Sequence, residues 1–131
     1  MGDYNVLPID DTTLETQFTC VEYSKVITDD NIYVVQTADG EYSIFLWKNK
    51  NTDNKDVIIG RWKGKSTMAT SNSTAYLQIY NHTDEQWETL DSDNATIANT
   101  EFILTGTQST DLNKYYDISY WAIFRIYQEA K

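Results

Sequence analysis

The chain has one cysteine, one histidine and one proline among its 131 residues. A lone Cys20 excludes an intrachain disulfide. One His with one Cys cannot supply the four N/S ligands of a structural zinc site. A Ser-His-Asp triad would have to run through His82, and no nucleophile-elbow sequence accompanies it. Basic residues are also few: 10 Lys and Arg face 20 Asp and Glu, a formal net charge of −10. That balance opposes nucleic-acid binding, which needs a cationic footprint to displace counterions. It equally opposes attraction to anionic membrane surfaces. No apolar run approaches the ~18 residues that would cross a bilayer. The N-terminal MGDYNVLPIDD is acidic and lacks the apolar segment of a signal peptide. Val6 stands where a myristoylation motif requires Ser or Thr. The expectation is a soluble product made in a cytoplasm, with any export by another route or by a signal since removed.

What is present argues for one β-rich domain. Ten Tyr and four Trp, with 40% hydrophobic residues, are too many for a disordered chain. A chain of this mass should expose about 7,100 Å2 when folded, against about 22,000 Å2 extended. Residues 1–13, polar and acidic with Pro8, read as an extended arm ordered against the body or a neighbour, and 14–131 as the single domain. Strand material is expected within Leu14–Ile27, where Cys20 is a small buried side chain, and in Ile32–Thr37, rich in β-branched residues. The turn Ala38–Gly40 leads to Glu41–Lys48. Further strands fall at Asp56–Lys65, Thr74–Tyr80 followed by the turn Asn81–Gln86, Gln86–Leu90, Glu101–Thr107 and Ser119–Gln128, with one helical or 3-10 turn in Ser109–Asp117. In the hairpin Thr74–Asn94, Ala75, Leu77 and Ile79 alternate with Tyr76, Gln78 and Tyr80, the pattern of a half-buried strand. Gly60 and Gly64 bracket Trp62 and mark a bulge or a close backbone approach. Trp62 and Trp87 are assigned to the core. About eight short, evenly spaced strands predict an all-β, antiparallel β-sandwich of jelly-roll type.

Six segments occur in order: WKG at Trp62–Gly64, AYLQIYN at Ala75–Asn81, WETLDSDN at Trp87–Asn94, FILTGT at Phe102–Thr107, YYD at Tyr115–Asp117 and FRIYQ at Phe124–Gln128. This succession resembles a β-sandwich module of bacterial surface proteins and of tailed-bacteriophage structural proteins, and is similar to the galactose-binding-like jelly roll. The likeness spans the second half of the chain. It implies a structural or adhesive module and supplies no identified site, since such folds host many functions.

Candidate sites follow from residue type. Carboxylate pairs at Asp10–Asp11, Asp29–Asp30, Asp84–Glu85 and Asp91/Asp93 raise glycoside hydrolysis, but all lie in turn-forming contexts that favour Asp for backbone reasons. Asp91, Asp93 and Asn94 offer the oxygen donors calcium prefers, without the Gly and distal Glu of an EF-hand loop. Tyr80, His82, Tyr115, Tyr116 and Trp121, with Tyr76, Trp87 and Tyr120 nearby, are the candidates for a sugar-stacking platform; the competing reading is core and strand-pair packing. Sequons at Asn72, Asn81 and Asn94 are expected by chance in a chain so rich in Asn and Thr.

No catalytic signature emerges. The leading expectation is a non-enzymatic virion protein of a tailed phage, a capsid decoration or tail or fibre accessory. It would be made in the host cytoplasm and contact other virion proteins or its own copies. The alternative is a carbohydrate-binding or adhesion module, cell-surface or extracellular, meeting a glycan. Neither reading calls for a cofactor beyond a calcium ion.

Overall fold

A computed structural model describes residues 1–11, 16–51 and 56–129. Its described residues form seven strands and one short helix. In chain order these are β1 (Gly2–Tyr4), α1 (Cys20–Val26), β2 (Tyr42–Lys50), β3 (Ile58–Lys65), β4 (Ala75–Asn81), β5 (Gln86–Asp93), β6 (Glu101–Gln108) and β7 (Trp121–Glu129). A single 3-10 turn, Leu112–Tyr115, precedes β7. All pairing is antiparallel: a five-stranded sheet runs β1-β2-β7-β4-β5, and β3 and β6 form a separate ribbon. The all-β class and the β4–β5 hairpin are as the sequence predicts.

The core lies between sheet and ribbon. Every second residue of β4 and β7 faces it, so Ala75, Leu77 and Ile79 meet Ala122, Phe124 and Ile126, with Phe102 and Leu104 contributed by β6. Trp47 of β2 stacks on Phe124, with ring centroids 5.4 Å apart. Trp62 is half-buried against Phe102 and belongs to this core, as expected. Trp87 does not: it lies half-buried on the opposite face of the sheet, beside Tyr80.

Sheet and ribbon meet at a point built by glycine. Gly60 and Gly106 are cross-strand partners in the ribbon. Opposite them the β4–β5 register slips between Leu77 and Gln78, so that Leu77 pairs with Asp91 and Gln78 with Thr89, leaving Leu90 as the extra residue of a bulge. Leu90 packs against both parts of the core. A Cβ on Gly106 would lie 2.6 Å from Leu90 Cβ and 2.9 Å from its carbonyl oxygen, and one on Gly60 would lie 2.8 Å from the Phe124 ring. Glycine is required there because the two layers touch through backbone.

The first third departs from expectation in three ways. Residues within Leu14–Ile27 form no strand among those described; Cys20–Val26 is helical, started by a capping box in which the Thr19 hydroxyl accepts from Glu22 N–H and the Glu22 carboxylate accepts from Thr19 N–H. Leu14 itself lies outside the described residues. No residue of α1 is buried, and Cys20 is exposed rather than tucked inward. Finally, Ile32–Thr37 has no regular secondary structure and joins neither sheet. It is held by side chains, with Lys63 bridging Asp29 and Glu101, and Tyr33 donating to Glu101. Two of the eight predicted strands therefore do not pair, while Gly2–Tyr4, read as part of the arm, does pair, which makes seven strands among the described residues. The molecule accordingly exposes 8091 Å2, more than the ~7,100 Å2 expected for its mass.

Gly106→Ala should cost about 1–3 kcal/mol through overpacking, read as a lower urea midpoint at unchanged slope. A loss below ~0.5 kcal/mol would mean that the ribbon retreats freely from Leu90.

Candidate functional site

The face of the sheet turned away from the core is also largely buried, which alternation alone does not anticipate. Ile44, Gln78, Tyr80, Ile123 and Arg125 are all buried there. Arg125 stands at its centre, 4% exposed. Its Nε donates to Gln78 Oε1 at 2.8 Å, from the neighbouring strand β4. The guanidinium carbon lies 4.2 Å from the Trp87 ring centre and 5.3 Å from that of Tyr127, a cation–π arrangement. Beyond Tyr127, the rings of Tyr76 and Tyr42 continue the row at centroid distances of 5.1 and 5.9 Å. Burial brings the Arg125 pKa down to about 10, so the group is still a cation at neutral pH.

The N-terminal segment crosses this face. It begins at the sheet edge, where β1 pairs with β2. Arg125 Nη1 then donates to the Pro8 carbonyl, and Trp87 Nε1 to the Asp10 carbonyl at 3.0 Å. Met1 and Thr16 exchange two main-chain bonds, the terminal amine donating at 2.8 Å and Thr16 N–H at 3.1 Å. Of the two placements open to residues 1–13, the structure shows order against the chain's own body for residues 1–11.

The sequence-chosen aromatic residues are not gathered into one platform. Tyr80 is buried on the outer face, edge-on to both His82 and Trp87. His82 is half-buried rather than solvated, with Nε2 enclosed and lacking a hydrogen-bond partner. Tyr115 is in the core, 2% exposed, and donates to Glu88 Oε2 at 2.7 Å. Tyr116 is half-buried and lines a pocket of about 330 Å3 with Asn49, Lys50, Asn51 and Ile58. Trp121 is half-exposed beneath Lys50, whose Nζ is 5.7 Å from the ring centre. Two pairs share a region, Tyr80 with His82 by ring contact and Tyr116 with Trp121 through Lys50.

The proposed calcium ligands are already engaged. Asp91 Oδ1 accepts from Ser92 N–H at 2.8 Å, and Oδ2 from Thr105 N–H at 2.9 Å, tying β5 to β6. Asp93 accepts from Thr96 N–H at 3.0 Å, the Thr96 hydroxyl at 3.0 Å and the Thr70 hydroxyl. Asn94 is exposed beside them. Among the described residues no three His, Cys, Asp or Glu side chains cluster as metal ligands. Burial pushes the Asp93 carboxyl up, but the donors of Thr70 and Thr96 outweigh it and hold the pKa below the ordinary value. The hairpin tip is similarly occupied: Asn81, fully buried, donates to Asp84 and Glu88 and accepts from Thr83 and Asp84 N–H. Its sequon is therefore enclosed.

Sequence reasoning missed Arg125, Gln78 and the carbonyls of Pro8 and Asp10. A signal existed, since Arg125 interrupts the apolar run WAIFRIY of β7. Comparison with protein-family models, curated proteins and solved structures finds no significant match. The likeness to phage and bacterial-surface modules rests on the quoted segments alone.

Because the folded Asp93 pKa is depressed, its stabilisation is fully present above the ordinary Asp value of about 3.9 and is lost as pH falls through the folded value. Asp93→Asn should therefore lower the urea midpoint at pH 7, with the gap to the parent closing in acid. A gap independent of pH would show that the charge contributes nothing. Millimolar Ca2+ should leave the melting temperature of the parent unchanged, since a cation would have to displace these donors.

Proposed function

We propose that the chain is a non-enzymatic assembly module of the kind found on tailed-phage particles, a capsid decoration or tail or fibre accessory built on a reduced jelly-roll sandwich. One observation carries this reading. Among the described residues, eight of the fourteen large apolar side chains that are exposed fall in the first third of the sequence: Val6, Ile9, Val21, Tyr23, Val26, Ile27, Ile32 and Val35. A stretch of chain so rich in exposed apolar side chains is suited to meeting a protein partner. The same stretch, residues 1–41, holds nine acids and one lysine, and so most of the net charge. The partner face should then be apolar with a basic rim, a pairing that gives orientation and speed of encounter. The order of segments from Trp62 to Gln128 supports the phage assignment by likeness.

The pocket beside Tyr116 favours a second reading, a glycan-binding module. An aromatic ring with Asn49, Lys50 and Asn51 is a lining that suits a sugar face and its hydroxyls.

Changing Val21, Ile27, Ile32 and Val35 together to Ser should leave the melting temperature within a few degrees, because none of the four is buried. It should reduce copies per purified particle at least ten-fold, measured by quantitative mass spectrometry. Normal incorporation of the variant would overturn the contact assignment. Glycan-array binding abolished by Tyr116→Ala would establish the second reading in its place.

A further inference from the structure

The outer face of the sheet has the build of a seat for an extended segment. Arg125 and Trp87, from β7 and β5, donate to the carbonyls of Pro8 and Asp10, two residues apart on one chain. At the sheet edge, β2 adds β1 by main-chain pairing over three residues. Both devices read backbone, the means by which extended peptides are captured at sheets. The side chains between them take little part, for Val6 is 77% and Ile9 82% exposed. Pro8 fixes the backbone of the segment and lowers the entropy lost on seating it.

The seat is formed by the body of the protein. Gln78, Trp87 and Tyr127 hold the guanidinium whatever lies above it. Were the N-terminal segment to lift away with nothing in its place, a buried cation would lose its carbonyl acceptor, which is costly. The groove therefore demands an occupant of this geometry, and a segment of identical sequence on another copy satisfies it at no difference in contact energy.

We propose that this groove binds an extended, proline-containing segment, and that its occupant in assembly is the N-terminal segment, residues 1–11, of a second copy of this chain. Exchange keeps each contact found within one chain. What opposes it is the effective concentration of a tethered segment, of order millimolar. The inference does not depend on where the protein is deployed and holds for a particle component or a free oligomer alike.

Two variants remove the competition within each chain. A strap variant has residues 2–11 replaced by Gly and Ser, which opens the groove. A groove variant carries Arg125→Met and Trp87→Phe, which frees its own strap. Alone, each should be monomeric by light scattering. Mixed at chain concentrations of about 0.1–1 mM, they should form a 1:1 complex. A synthetic peptide of residues 1–11 should raise the melting temperature of the strap variant, or restore its fold if the replacement has unfolded it, and Trp87→Phe in that variant should weaken peptide binding about five-fold for the lost hydrogen bond. A peptide without effect on the strap variant would overturn the groove. A peptide that binds while the two variants stay monomeric together would overturn the exchange between copies.

Discussion

The architecture depends on how closely a two-stranded ribbon can approach a five-stranded sheet. Gly60 and Gly106 face each other across the ribbon, and Leu90, thrust out of register by the β5 bulge, fills the space where their side chains would be. Without that approach Phe102 and Leu104 would not reach Leu77 and Ile126, and a ribbon alone is not stable in water. Asp91 reinforces the junction by accepting from Thr105 N–H, joining β5 to β6 where no ladder exists. A carboxylate that looked like a metal ligand is a strut between layers.

The same reassignment runs through the other candidate residues. Tyr115 and Glu88 hold the 3-10 turn to the hairpin, Asn81 knits the hairpin tip, and Asp93 closes the corner leading to Thr96. Each is a polar group satisfied within the fold, as buried polar groups are required to be. Beyond these struts, the molecule presents an acidic, apolar-studded first third and an outer face in which an arginine is enclosed by aromatic rings and backbone carbonyls.

The second half was legible because its strands alternate and its turns are chemically explicit. Alternation placed Leu77, Ile79, Phe124 and Ile126 on the core face, and the glycines beside Trp62 signalled the close approach that Gly60 makes. The first third misled for identifiable reasons. Apolar residues crowded around Cys20 suggested a strand, although Thr19 and Glu22 carry the spacing of a helix start. Ile32–Thr37 has strand propensity, but propensity measures fit to a sheet surface, and no sheet edge takes up this segment. The outer face was misjudged because alternation presumes one wet side of an antiparallel sheet. Here the N-terminal segment lies over that side, and a contact between residues 8 and 125 leaves no trace in local sequence.

Strand order also constrains how the molecule comes into being. β7 lies between β2 and β4, so the two longest stretches of the sheet have no direct contact until the segment Trp121–Glu129 joins them. During synthesis, β2 has only the short β1 beside it for seventy residues, and its Phe45 and Trp47 wait for Ile126 and Phe124 of β7. Pairings so distant in sequence carry a large loop-closure cost and fold slowly. The growing chain thus carries β2 without its β7 partner for much of its synthesis, and the acidic character of the stretch ahead of β2 opposes association between such chains meanwhile.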